Sequence, residues 1–328
     1  MKNCFPFINL GNQGQSQGKP STEKSSLITR ADRRETSYDI YSKYDPCQKT
    51  SEAEQALKDL SDDFMPKGST FGFTKLYGYK SLGKGATSDV IGSGKFAFKV
   101  IYVKNEYDIQ DPIFCERISK LIKIEQKILE YEIFTNCDYL LQSYAISISN
   151  RPSINLGVVA MDRALMDMVV YYEGGYGWTY NICKTFYGHV VKGLKHLHSR
   201  SLIHLDIKPS NILVFGNMYK NSKSIKNIHF KIADFGYLKG KSTIIDGSIG
   251  TSEFMAPELD NASVNNIKAN EKLDIFSFGK TIITLSNCFE EEMRDSFEKK
   301  FAPLTSNDPN ERPTILDDTL SSYGLKAP

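Results

Sequence analysis

The stretch that most limits how this chain can fold is "HLDIKPSNIL", His204 to Leu213. It follows directly on "YNICKTFYGHVVKGLKHLHSR", where Ile182, Phe186, Val190, Leu194 and Leu197 recur at helical spacing. A long amphipathic helix therefore delivers a short polar loop. In that loop Asp206 is placed to accept a proton and Lys208 to neutralise transferring charge. Asn211 offers a carbonyl oxygen of the kind hard divalent cations prefer. Pro209–Ser210–Asn211 also satisfies ordinary turn chemistry, so the loop alone is compatible with a plain surface turn.

Three further stations carry chemistry. "LGKGATSDV", Leu82 to Val90, reads as a glycine hairpin. Gly83 and Gly85 let backbone N–H groups approach an anion closely, although Ser88 stands where a third glycine of G-x-G-x-x-G would be. "FAFK" places Lys99 in an apolar strand, where an ammonium needs a partner or a bound anion; Glu125 on the following helix offers one. "KIADFG" places Asp234 after an apolar strand and just before Phe235–Gly236.

Around these stations the chain changes character. Residues 1 to about 70 include "GNQGQSQGKPSTEKSS", a polar run with no apolar period, and read as a mostly disordered tail with one docked helix at "SEAEQALKDLSDDF". From Phe71 onward "FTKLYGYKSLGKG" and "KFAFKVIYV" read as strands, and "IFCERISKLIKIEQKILEYEIF" as a helix with Ile118, Leu121, Ile122, Ile128 and Leu129 at its spacing. "INLGVVAMDRA" reads as a buried strand and a connector, and the remainder is mainly helical. The expected class is α+β in two lobes, a strand-rich lobe followed by a larger helical one.

The four stations, in this order, resemble the eukaryotic protein kinase superfamily over Leu82 to Arg312. "GTSEFMAPE" is similar to the end of an activation segment, and "KLDIFSFGK" to a D-x-W-S-x-G helix with Phe276 in place of Trp. Arg312 in "NDPNERPT" matches the ion-pair partner of Glu258. The resemblance implies a kinase domain over residues 71–328, with a smaller lobe to about 162 and a larger lobe from about 165. It implies a protein substrate, ATP and Mg²⁺. Leu82, Gly83, Lys84, Gly85, Ala86, Thr87, Ser88, Asp89 and Val90 would cover the nucleotide. Lys99, held by Glu125, would touch its phosphates. Adenine would lie among Val90, Ala97 and Leu213, with Met161 as gatekeeper before the hinge Asp162–Arg163–Ala164. Asn211 and Asp234 would hold Mg²⁺, Asp206 would take the proton and Lys208 would steady the moving phosphoryl group. Thr251, Glu258, Asp274 and Arg312 would be structural residues or build the substrate platform.

Leu205 departs from the family, which often has Arg there to grip a phosphorylated activation segment. D-x-K-x-x-N and Thr251 favour Ser/Thr acceptors. Wee-type, Mos-type and lymphokine-activated killer T-cell-originated kinases each share short features with the chain, so the subfamily, a Tyr-directed activity and a catalytically silent scaffold stay open. The interval from Asp274 to Arg312 is short for the family and predicts an abbreviated helix or loop. "NMYKNSKSIKNIHF" predicts a lengthened hairpin with a solvated tip.

Composition excludes little else. A net charge of +2 over 328 residues gives no electrostatic case for nucleic acid or an anionic membrane as partner. No apolar run approaches the roughly 20 residues needed to cross a bilayer. The six scattered Cys lack metal-ligand spacing and read as reduced thiols, so the expected location is cytoplasmic or nuclear.

Overall fold

In the computed structural model the described residues are 52–53, 55–57, 80–84, 87–102, 111–130, 134, 136–148, 156–218, 222–245, 249–260, 266–287 and 289–314. Most of the expected tail, the strand at "FTKLYGY", Gly85, Ala86 and Ser248 lie outside them.

The smaller lobe is an antiparallel sheet of five strands: β1 (Lys80–Lys84), β2 (Ser88–Ser93), β3 (Phe96–Tyr102), β4 (Ser143–Ile148) and β5 (Leu156–Asp162). Their order is β1-β2-β3-β5-β4. "FAFKVIY" is apolar at successive positions because both faces of β3 are covered. Ala97, Lys99 and Ile101 share the face toward helix α1 (Pro112–Glu130), while Phe96, Phe98 and Val100 share the other. Ile118 and Ile122 of α1 seal the first face against Ile101 and Val159.

The larger lobe is built on α3 (Tyr180–His198), after the short β6 (Met166–Asp167) and α2 (Met168–Glu173). Thr179 caps α3 by accepting from the Ile182 N–H, and Phe186, Val190, Leu194 and Leu197 form its buried stripe. Behind it lie β7 (Leu202–Ile203), β8 (Ile212–Met218), β9 (Ile225–Ile232) and β10 (Lys239–Gly240). Then follow α4 (Pro257–Asp260), α5 (Glu271–Ser286) and α6 (Glu291–Phe301). The β8–β9 pair is the expected long hairpin, and residues 219–221 of its connecting loop lie outside the described residues. The interval after Asp274 holds the rest of α5, the 11-residue α6 and one 3-10 turn, Ala302–Thr305, so it is helical rather than a loop. The α+β architecture with a sheet-rich and a helical lobe agrees with the expectation from sequence. Among the described residues no helix is long and apolar enough to cross a membrane.

Candidate active site

The sheet and the α3 loop bring the expected residues together. Lys99 Nζ lies 3.0 Å from Glu125 Oε1 and 2.9 Å from Asp234 Oδ1. β3 and α1 fix the first partner; the left-handed backbone of Asp234 (φ 61°) turns the second toward it. Burial opposes charge on Lys99, but Glu125 and Asp234 outweigh it and hold the ammonium above the usual lysine range. The same ammonium draws Asp234 down to about 2. Phe235, next in sequence, is buried and stacks on Phe134 at 4.2 Å, with His204 meeting its other side edge-on at 5.3 Å. That packing fixes the neighbouring carboxylate.

Asp206 sits in a second network. Its Oδ1 accepts the Thr251 hydroxyl at 2.8 Å, and its Oδ2 accepts the Asn211 amide at 2.8 Å and Lys208 Nζ at 2.8 Å. Lys208 Nζ also donates to Thr251 Oγ1 at 2.5 Å. The Asn211 amide nitrogen reaches the Asp206 backbone carbonyl as well, which closes the loop on itself.

Below this loop Asp274, fully buried on α5, accepts from the N–H groups of His204 (2.9 Å) and Leu205 (2.8 Å) and meets His198 Nε2 at 2.8 Å. Burial pushes its pKa upward, but these donors prevail and hold the carboxyl below its usual range. The Leu205 bond matters because Leu205 has φ 67°, a strained conformation for a branched residue. His204 is buried; Nδ1 accepts the Asp206 N–H and Nε2 faces the Ala233 carbonyl, so the ring is neutral and its pKa is depressed by burial. Arg312 grips Glu258 through two bonds of 2.7 Å, lies on the Phe276 ring, and donates through Nε to the Ser306 carbonyl.

Apart from Gly85 and Ala86, which lie outside the described residues, the other expected residues fall around the same cleft. Ala97 and Met161 face each other across β3 and β5, in one apolar cluster with Ile212 and Ala233. Val90 and Leu213 pack against that cluster. In the hairpin, Gly83 pairs with Val90 and Lys84 with Asp89, and Leu82 is exposed. The Asp89 carboxylate accepts the Tyr102 hydroxyl at 2.7 Å, and the Thr87 carbonyl accepts the Tyr102 N–H, so these residues brace the hairpin on β3. Ser88 opens β2 opposite Ile101. In place of a phosphate contact, Leu205 joins Ile203, Ile245, Ile249, Ala256, Leu273 and Phe276 in an apolar cluster.

One group escaped the sequence reading. Lys231, buried on β9, reaches Asp162 Oδ2 at 3.1 Å, and Tyr144 donates to Asp162 Oδ1 at 2.8 Å. A lysine in the otherwise apolar run before Asp234 was the available signal. Ala53 and Leu57, within the docked helix expected at "SEAEQALKDLSDDF", are buried against the sheet.

An antiparallel small sheet with a lysine–glutamate pair, set over a helical lobe with an Asp–Lys–Asn loop, defines the class of two-lobed nucleotide-dependent kinases. Comparison with known families agrees: the protein kinase domain matches residues 78–317, and the chain belongs to that family. It is also similar to a curated protein, serine/threonine-protein kinase cds1 of Schizosaccharomyces pombe (strain 972 / ATCC 24843). The two are 28% identical over 148 residues, covering 44% of this chain and 30% of that protein. The chain therefore matches under a third of that relative's length.

Proposed function

We propose that this chain transfers the γ-phosphoryl group of ATP to Ser or Thr hydroxyls of protein substrates, with Asp206 as proton acceptor. The observation that carries the reading is the single ammonium of Lys99 bonded to both Glu125 and Asp234. That geometry joins the sheet, α1 and the Asp234 turn in one arrangement, so the pieces that act on phosphates stand assembled.

The residues fit a hard cation. Asp234 supplies carboxylate oxygens. Asn211 spends its amide nitrogen on Asp206, which leaves its carbonyl oxygen as the cation ligand. Among the described residues no cluster of three His, Cys, Asp or Glu forms a closed cage. A cation sharing its shell with phosphates and water, as Mg²⁺ prefers, suits that donor set. Bound Mg·ATP supplies the phosphoryl group and the charge that compensates it. The protein orients and stabilises. Asp206 Oδ1 accepts one bond from Thr251, so a lone pair is left for a substrate hydroxyl, whose proton it takes as the acceptor oxygen bonds phosphorus. Lys208 stands beside it to neutralise charge as the bond to the leaving oxygen breaks. The hairpin Leu82–Val90 covers the phosphates, and Ala97, Met161, Val90 and Leu213 hold adenine. The Lys208–Thr251 contact supports Ser/Thr acceptors, and a cytoplasmic or nuclear location accompanies that reading.

The test is incubation of the purified full chain with labelled Mg·ATP and generic protein substrates, followed by phosphoamino-acid analysis. Label on Ser and Thr is expected. Label on Tyr alone overturns the acceptor assignment; no transfer to any substrate overturns the activity.

A further inference from the structure

The sheet face that turns away from the cleft is as dry as the face that lines it. Phe98 is 1% exposed and Ala160 0%, and with Phe96, Val100, Ala145 and Val158 they form a separate apolar cluster. A sheet with one solvated face alternates apolar and polar residues; β3 does not, so something must cover its second side. Among the described residues the cover is a helical turn near the start of the chain. Ala53 and Leu57, four apart and so on one helical face, are buried in this cluster, and Ala56 packs against it. Glu52 on the same turn pairs with Lys95 at the β2–β3 turn. Glu52, Ala53, Ala56 and Leu57 all lie outside residues 78–317, the region matched by the kinase family.

The same face carries a route to the hinge. The β4–β5 register shifts between Ser143 and Ala145, so Tyr144 occupies an irregular position that re-aims its side chain. Its ring packs on the outer cluster and meets Phe96 edge-on at 6.0 Å. Its hydroxyl reaches Asp162, the last residue of β5, and Asp162 in turn holds the buried Lys231 of the larger lobe. Arg163, next in the chain, donates to the Gly94 carbonyl beside the Lys95–Glu52 pair.

We propose that the turn carrying Ala53 and Leu57 is an intramolecular cap on the small sheet, and that it positions the nucleotide-binding hinge through Tyr144 and Asp162. Leu57 and Tyr144 are positioning residues: neither touches the reacting atoms. The cap keeps the outer cluster dry, the packed cluster fixes the Tyr144 ring, and the ring holds the carboxylate that joins the hinge to Lys231. The inference rests on the proposed use of ATP.

The experiment uses the full-length chain and the variants Leu57→Glu, Leu57→Met, Tyr144→Phe and the Leu57→Glu/Tyr144→Phe double variant. KM for ATP and kcat are measured with one protein substrate, alongside hydrogen exchange across β4 and β5. Leu57→Glu is expected to raise KM for ATP about threefold or more while kcat stays within about twofold. Leu57→Met should restore KM, Tyr144→Phe should shift it in the same direction, and the double variant should be no worse than the larger single effect. An unchanged KM in a folded Leu57→Glu variant, or fully additive shifts in the double variant, overturns the proposal. If Leu57→Glu does not fold, Leu57→Ala is read by the same criteria. Hydrogen exchange reports on the cap without turnover, so a wild-type chain that transfers no phosphoryl group refutes the activity, while unaltered β4–β5 exchange in Leu57→Glu refutes the cap.

Discussion

The Thr251 hydroxyl donates to Asp206 Oδ1 at 2.8 Å, and so ties the "GTSEFMAPE" segment to the proposed proton acceptor. Thr251 Oγ1 in turn accepts from the Lys208 ammonium. One hydroxyl thus sets the spacing of the two charged groups. Thr251→Val keeps the shape and removes both bonds, and should lower kcat by about tenfold or more, whereas Thr251→Ser should stay near wild type. Steady-state kinetics on both variants check this; equal loss in the two would mean that the methyl group, not the hydroxyl, is what matters.

Leu205 is buried among Ile203, Ile245, Ile249 and Leu273, and the segment after it is held by backbone bonds. Ser242 donates to the Ala269 carbonyl, Ala269 to Thr243, and Ile245 to Ile267. Order here comes from packing and main-chain pairing. Phosphatase treatment, and Ser242→Ala, Thr243→Ala and Ser248→Ala variants, should therefore leave most activity intact. Loss on dephosphorylation, restored by rephosphorylating one of those sites, would contradict this. Leu205→Arg should not rescue or enhance activity. It should destabilise by about 3 kcal/mol, because it places an unpaired charge in an apolar cluster.

Arg312 is 1% exposed and its charge is met by Glu258. Arg312→Ala leaves that carboxylate without its bidentate partner and opens space beside Phe276. A cost of about 3–5 kcal/mol is expected, or a fall in Tm on the order of 10 °C for a domain of this size. Arg312→Lys should recover only some of it, since an ammonium cannot make the two-pronged contact. Differential scanning calorimetry distinguishes the two.

A cluster behind the site predicts acid sensitivity. His189 Nδ1 accepts the Phe230 N–H; its ring packs on His229 at 4.4 Å and on Tyr139 at 5.1 Å, with Lys192 nearby. His229 Nε2 faces the Asp138 carbonyl. Burial, with the neighbouring His229 and Lys192, lowers the His189 pKa to about 3, and burial lowers that of His229 too. The unfolded chain therefore binds protons that the folded one refuses. The stabilising contribution is complete above the unfolded histidine pKa of about 6.5 and is lost as pH falls below it. Tm should be level between pH 7 and 8 and decline through pH 5. His189→Asn, whose carbonyl can take the place of Nδ1, should show a shallower decline; an identical slope would remove His189 from the account.

The grouping of the candidate site loops was legible in the sequence because the chemistry proposed for them demands fixed residue types at fixed spacing. Asp206, Lys208 and Asn211 lie within six residues, and the helix that presents them is written in the period of Phe186, Val190 and Leu194. Lys99 and Glu125 were legible as a pair because a lysine on a buried strand requires a partner. The Tyr144–Asp162–Lys231 chain was not, since it joins three strands and depends on a register shift that no local pattern encodes. A docked helix was legible around Ala53 and Leu57, but its seat on the small sheet was not, since that follows only from the two-sided burial of β3. The apolar seat of Leu205 likewise needed Ile245 and Ile249, some 40 residues away in sequence but in contact. For the interval after Asp274, counting residues suggested an abbreviated helix or loop; it is a helix, the 11-residue α6, which Phe297 and Phe301 anchor in the core.

On the proposed function Asp234, held by Lys99, organises Mg·ATP for transfer to a protein hydroxyl. Asp234 is half exposed and carries little of the fold, so Asp234→Ala should remain folded. The decisive measurement is the initial rate of labelled phosphate transfer by wild type and Asp234→Ala at saturating Mg²⁺, with circular dichroism confirming that both are folded. The account predicts robust transfer by wild type and a loss of at least about a thousandfold in the variant. A folded Asp234→Ala protein turning over near the wild-type rate would contradict it.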